Sequence, residues 1–178
     1  MANGRDFENL VAEYYEPLYQ FDLSLTREEP GACDLVQQTF CVWAAKGHQL
    51  RDASKVKTWL FTTLHREFLG ARRRLTRFPH LELDLAEAEL PVVEPAAFSG
   101  IDIALVLAAL AALEEAYQAP VALFYLQDYS YKEIGEILDL PAGTVKSRLS
   151  RGLERLHRLL EGRKSRPQKS AGPKKDNL

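Results

Sequence analysis

From Phe7 to Leu160 the apolar residues recur at helical spacing, and that recurrence fails once, over residues 79–100. A period near 3.6 residues marks helices that each bury one face, so the chain must pack helix on helix, in two blocks. Phe7, Leu10, Val11, Tyr14 and Tyr15 predict a first helix. Pro17 predicts the start of a second, because proline suits a first helical turn, and Leu18, Phe21, Leu23 and Leu25 continue its stripe. Residues 27–31 read as a turn. Leu35, Val36, Phe40, Val42 and Trp43 predict a third helix over 32–45, ended by Gly47. Ser54 is expected to cap a fourth, which buries Val56, Trp59, Leu60, Thr63, Leu64 and Phe68 and runs into Arg72-Arg73-Arg74.

The break contains Pro79, Pro91, Pro95, Ser99 and Gly100 among several carboxylates, the composition of a linker. Helices resume over 101–115 and 120–127. Ser130-Tyr131-Lys132-Glu133 is a capping box, in which Ser at the N-cap and Glu three residues on satisfy each other's backbone amides. The helix it opens, 131–138, is amphipathic through Ile134, Ile137 and Leu138. A turn over 139–143 leads to a last helix over 144–160, whose buried stripe is Val145, Leu149, Leu153, Leu156, Leu159 and Leu160. Residues 162–178 are rich in Lys, Arg, Ser and Pro and are expected to be disordered. The fold class is therefore all-α: two small helical domains joined by a linker, the second a helix-turn-helix.

Several function classes fall away on composition. No window holds enough consecutive apolar residues for a membrane span, and the first ten residues lack the apolar core of a secretory signal. Cys33 and Cys41 cannot form a disulfide framework. Eight residues apart on one helix, they lie roughly 12 Å from each other, beyond the reach of a bridge. A cytoplasmic protein with reduced thiols is expected. His48 and His65 have no partners at metal-ligand spacing, so no metal and no cofactor is expected. No facing carboxylate pair or phosphate-cradling Gly-rich loop suggests an enzyme.

The net charge of −2 argues against nucleic acid until it is resolved along the chain. Residues 1–43 carry −6, residues 44–78 carry +7, residues 79–120 carry −8 with no Lys or Arg, and residues 161–178 carry +4. Residues 141–160 alone hold five cations and one carboxylate. Two basic blocks separated by an acidic one suggest two surfaces that face a polyanion.

The second basic block lies on the second helix of a helix-turn-helix, the element that enters the DNA major groove. Its outward positions are Thr144, Lys146, Ser147, Arg148, Arg151 and Arg155. Their hydroxyls and long cations suit phosphates and base edges. Tyr125, Tyr129 and Tyr131 read as core or rim residues.

At these residues a family becomes visible. The run Asp128-Tyr129-Ser130-Tyr131-Lys132-Glu133-Ile134-Gly135-Glu136-Ile137-Leu138, followed by Pro141-Ala142-Gly143-Thr144-Val145-Lys146-Ser147-Arg148-Leu149-Ser150-Arg151-Gly152, closely resembles the promoter-reading C-terminal domain of extracytoplasmic-function (ECF) sigma factors. In that family the last helix reads the −35 element. Asp34-Leu35-Val36-Gln37-Gln38-Thr39-Phe40 resembles the helix that grips RNA polymerase. The resemblance implies that Asp34, Gln37 and Gln38 face the polymerase, while Leu35, Val36 and Phe40 largely face the core. Lys55-Val56-Lys57-Thr58-Trp59-Leu60-Phe61 and the helix to Arg74 resemble the part that recognises and opens the −10 element.

The −10 set this implies is His48, Lys55, Lys57, Trp59, Phe61, Arg66, Arg72, Arg73 and Arg74. The cations would follow the backbone electrostatically, and the loop over 47–54 corresponds to one that holds a flipped-out base in the family. Trp59 reads as a core residue ahead of a base-stacking one, and Phe61 is similarly ambiguous. Cys33 and Gln38 stand where the family often has acidic residues, and residues 114–120 lack its usual Leu-Pro and Arg.

The resemblance implies a sigma factor, sigma-70 family, that binds core RNA polymerase and promoter DNA, commonly opposed by an anti-sigma factor. Residues 1–78 would bind polymerase and melt the −10 element, and 79–100 would be an acidic linker threading the RNA channel. Residues 101–161 would read the −35 element, and 162–178 would be a basic tail. A self-sufficient helix-turn-helix regulator is the first rival, and a sigma-like protein-interaction module the second.

Overall fold

The computed structural model describes residues 4–26, 29–77 and 103–164, and every regular element within them is helical. The linker expected over 79–100 and the tail beyond Lys164 lie outside the described residues. The N-terminal group holds α1 (Gly4–Thr26), α2 (Glu29–Lys46) and α3 (Val56–Arg77). The C-terminal group holds α4 (Ile103–Ala111), α5 (Glu115–Gln127), α6 (Tyr131–Leu138) and α7 (Ala142–Lys164).

Pro17 does not divide two helices: it lies inside a continuous α1. A proline in a helix interior costs about 3 kcal/mol. The stripe of Leu18, Phe21 and Leu25, all buried, carries the helix through that loss by tertiary packing. Nor does Ser54 open α3. The Asp52 carboxylate accepts from the Ser54 backbone N–H at 2.9 Å and its hydroxyl at 2.7 Å, and a short 3-10 turn (Ala53–Lys55) leads into α3. Those two hydrogen bonds hold the Asp52 carboxyl below the ordinary carboxylate range.

The break between α4 and α5 falls at 112–114, not after residue 115, so α5 starts before Pro120 and encloses it. Buried Gln118 stabilises this break. Its amide donates to the carbonyls of Ala111 at 3.0 Å and Leu113 at 2.9 Å, which the end of α4 leaves without helical partners. Gly47 has a steric reason of its own. A Cβ there would stand 2.6 Å from Trp43 Cδ2, so only glycine lets the chain turn closely past that indole.

The two groups do not stand apart. α1 packs on α2 and α3 and also on α4 and α5, while α3 packs on α6. One apolar core results, joining Phe21, Leu60, Phe61 and Leu64 to Val106, Leu110, Leu123 and Ile134. None of the described helices is long and apolar enough to cross a membrane.

Candidate nucleic-acid interface

The C-terminal surface is built from its turns upward. α5 ends at Asp128 in the left-handed region (φ 54°), a conformation that Asp tolerates better than most residues. The capping box then forms as the sequence predicts. Ser130 N–H donates to Glu133 Oε2 at 2.9 Å, and Glu133 N–H donates to Ser130 Oγ at 3.3 Å. Hydrogen bonds from the Ser130 hydroxyl and backbone hold the Glu133 carboxyl below its ordinary pKa. α6 ends at a second left-handed residue, Asp139 (φ 53°), and α7 follows.

α7 buries Val145, Leu149, Gly152 and Leu156. Gly152 is required by close approach: a Cβ there would overlap Val121 Cγ2 and lie 3.1 Å from Tyr117 Cβ. The opposite face carries the cations. Lys146, Ser147 and Arg151 are exposed, and Thr144, Arg148 and Arg155 are half-buried. Ser147 donates its hydroxyl to the Thr144 carbonyl at 3.0 Å. Arg155 pairs with Glu114 and lies over the Tyr117 ring, 4.7 Å from its centroid, so its guanidinium is anchored to the start of α5. A hollow of about 180 Å³ lies between Ala116, Tyr117, Ser147, Arg148 and Arg151. There the cations of α7 meet the first turn of α5, whose N–H groups also favour an anion.

In the N-terminal group, α2 presents Asp34 and Gln38 to solvent, Leu35 and Gln37 are half-buried, and Phe40 is in the core, edge-on to Phe7 at 6.4 Å. Cys41 is exposed on the same helical face, at i+7 from Asp34, a position that residue type alone does not flag. His48 is exposed in the 3-10 turn Gly47–Gln49. Beneath that loop is a cavity of about 450 Å³, lined by Val42, Lys46, Gln49, Leu50, Trp59, Thr63, Arg66 and Glu67. Trp59 is half-buried, edge-on to Trp43 with ring centroids 5.1 Å apart, so it belongs both to the core and to the cavity wall.

α3 divides its candidate residues. Phe61 is fully buried between Phe21 (5.4 Å) and Tyr129 (5.5 Å), away from the surface. Arg66, Arg73 and Arg74 are exposed, and Arg73 donates to the Leu69 carbonyl at 3.2 Å. Lys55, Lys57 and Arg72 instead reach the C-terminal helices. Lys55 lies 3.7 Å from Glu136, Lys57 donates to the Gln127 carbonyl at 3.1 Å, and Arg72 pairs with Glu115. These cross-links between groups have no sequence signal, because each partner is more than forty residues away from its cation. Among the described residues no group of three or more His, Cys, Asp or Glu could hold a metal ion.

Residues 10–78 match the model of Sigma-70 region 2, and residues 103–156 match that of Sigma-70, region 4. The chain is 30% identical to the ECF RNA polymerase sigma factor SigM of Bacillus subtilis, over 85% of this chain and 93% of the relative. It is 28% identical to RNA polymerase sigma factor YlaC of the same organism, over 85% and 90%. Its fold is similar to that of the sigma factor RpoE of Bartonella quintana, solved in complex with the anti-sigma factor NepR. There the TM-score is 0.71 at 30% identity, covering 88% of this chain and 98% of that one. The chain therefore belongs to the extracytoplasmic-function RNA polymerase sigma factors of the sigma-70 family, subunits that direct promoter recognition.

Proposed function

We propose the division of labour within this sigma factor. Residues 1–78 hold core RNA polymerase and open the −10 element, residues 79–100 tether the two ends, and residues 101–161 read the −35 element. The observation that carries the reading is the exposed cationic face of α7, set on a capped helix-turn-helix. A recognition helix needs its long donors outward and its apolar stripe locked against the supporting helices, and α7 meets both conditions. Lys146, Ser147 and Arg151 are the central contacts, with Thr144, Arg148 and Arg155 at the edges. Arg155 acts from an anchored position, held by Glu114 and Tyr117.

Asp34 and Gln38, with Leu35, Gln37 and Phe40 fixing the helix beneath them, form the polymerase-binding face of α2. The cavity under the 47–54 loop is the place for an unstacked −10 base. Unstacking costs a few kcal/mol, which pocket contacts must repay. His48 at the loop and Arg66 and Trp59 on the wall supply a donor, a cation and a ring. Lys55, Lys57, Arg72, Arg73 and Arg74 follow the backbone, and Phe61 supports α3 from the core.

The chain is a specificity subunit with no chemistry of its own; bond formation belongs to the core enzyme. RpoE of Bartonella quintana was solved with an anti-sigma factor, and a partner of that class is proposed for this chain too. The test is DNA binding with and without core polymerase. Promoter-selective binding should require both proteins. Equal selectivity and strength for the chain alone would favour the self-sufficient regulator.

A further inference from the structure

We propose that the cavity bounded by α1, α3, α5, α6 and α7 is a binding site for a small amphiphilic anion, an aliphatic carboxylate, with Arg148 as the group that meets its charge. The site stands on the geometry of the cavity. Its consequence for DNA rests on the reading of α7 as a recognition helix.

The cavity measures about 510 Å³, within the roughly 300–1,000 Å³ of small-ligand sites, which are mostly apolar with a few placed polar groups. Its walls follow that pattern. α1 contributes Leu25, α3 contributes Phe68 and Leu69, and Leu138 and Leu140 close the side next to α7. These side chains line a space rather than fill it. An apolar chain seated there removes further surface from water, which is favourable in proportion to the area covered.

The polar groups on the wall select the head of the ligand. The Gln118 amide nitrogen is committed to the carbonyls of Ala111 and Leu113. Glu115 pairs with Arg72, so its carboxylate is not an unmet negative charge. His65 is stacked on Phe68 with ring centroids 6.4 Å apart, and burial lowers its pKa from 6.5 to about 4, so near neutral pH it is an uncharged ring. Arg148 remains. It is half-buried on the wall, with no carboxylate in ion-pair contact among the described residues. A guanidinium offers paired N–H donors that match a carboxylate, and these charge-assisted bonds are stronger than neutral ones. A cationic head is repelled there, and a neutral head forgoes the charge.

Arg148 also lines the hollow that it shares with Ser147 and Arg151 on the outward face of α7. One guanidinium thus stands between the cavity and the surface read as facing DNA. A carboxylate that holds it from inside withholds it from a phosphate outside. Ligand and DNA therefore weaken each other's binding by the same factor.

Two measurements on the full chain test this. The first is calorimetry with decanoate, decanol and decyltrimethylammonium as probes, below their micelle-forming concentrations. Decanoate should bind tightest. Arg148→Gln should weaken decanoate about tenfold and change decanol by less than about twofold. Arg158→Gln, the same charge change on α7 away from the cavity, should leave decanoate within about twofold. Methyl resonances locate the probe: decanoate should shift those of Leu25 and Leu138 and not those of Leu10. No binding of decanoate, equal binding of the three probes, equal weakening by both substitutions, or shifts that miss Leu25 and Leu138 each overturn the site. The second measurement is binding of a mixed-sequence DNA duplex at low salt. Saturating decanoate should weaken it about fivefold in the unaltered chain and not in Arg148→Gln. An equal effect on both chains overturns Arg148 as the shared group. Failure of the chain to bind the duplex at all refutes the reading of α7 instead, and the calorimetry then still decides the site.

Discussion

Asp22 is costly to the fold at neutral pH. It has no solvent exposure, and among the described residues neither carboxylate oxygen has a hydrogen-bond partner. Loss of hydration pushes its pKa from 3.8 up to about 8. Between those values the unfolded chain releases a proton that the folded chain keeps. Stability contributed by this site therefore falls as pH rises from about 4 to about 8. At 1.36 kcal/mol per pH unit, the deficit at pH 7 is about 4 kcal/mol. Asp22→Asn is neutral in both states and nearly the same shape, so it should be more stable at pH 7 by about 3–4 kcal/mol. That advantage should shrink towards zero near pH 4. His65 acts in the opposite sense: burial lowers its pKa from 6.5 to about 4, so its contribution to stability is lost as pH falls through that window. Both chains share His65, and the difference curve isolates Asp22. Urea unfolding followed by helical circular dichroism, from acid to mildly alkaline pH, gives that curve. A difference that does not change with pH would refute the reasoning.

Three further outcomes are expected. Gly152→Ala should lower the unfolding free energy by about 1–3 kcal/mol, because the new Cβ drives α7 away from Val121 and Tyr117; thermal unfolding checks it. Ser130→Ala removes the hydroxyl that accepts from the Glu133 N–H, leaves only the backbone half of the reciprocal cap on α6, and should cost about 1 kcal/mol, read in the same experiment. Arg151→Ala, which removes an exposed cation with no structural pairing expected from its position on α7, should leave the melting temperature nearly unchanged. If Arg151 contacts a phosphate, it should reduce the salt dependence of polymerase-bound promoter affinity by about one unit of slope.

The C-terminal group was largely legible because its signals are local. The Ser130–Glu133 box forms over three residues, and α6 spans the residues that its apolar stripe marks. The misses have a common cause, which is that distant packing outweighs a local preference. Pro17 marks a helix start by its own geometry, but the stripe around Leu18 and Phe21 is buried against partners far along the chain and keeps α1 whole. Ser54 is a good cap, but Asp52 two residues earlier caps a turn that already contains it, taking both its amide and its hydroxyl. The start of α5 depends on Gln118 reaching back to Ala111 and Leu113, a side-chain choice with no periodic trace. The candidate DNA-facing residues were legible as types. Their states were not: whether Phe61 lies at the surface, or Lys57 is docked, depends on a seam between groups that meet only in three dimensions.

The central claim, that two cationic surfaces direct core polymerase to promoters, is tested most directly by transcription from a promoter library. Core polymerase is mixed with the full chain, and with chains carrying Lys146→Ala plus Arg151→Ala. Promoter-specific transcripts should appear only when the chain is present, share a common upstream element, and lose their dependence on that element with the altered α7. Transcripts that form equally without the chain, or that keep their upstream preference when Lys146 and Arg151 are gone, would contradict it.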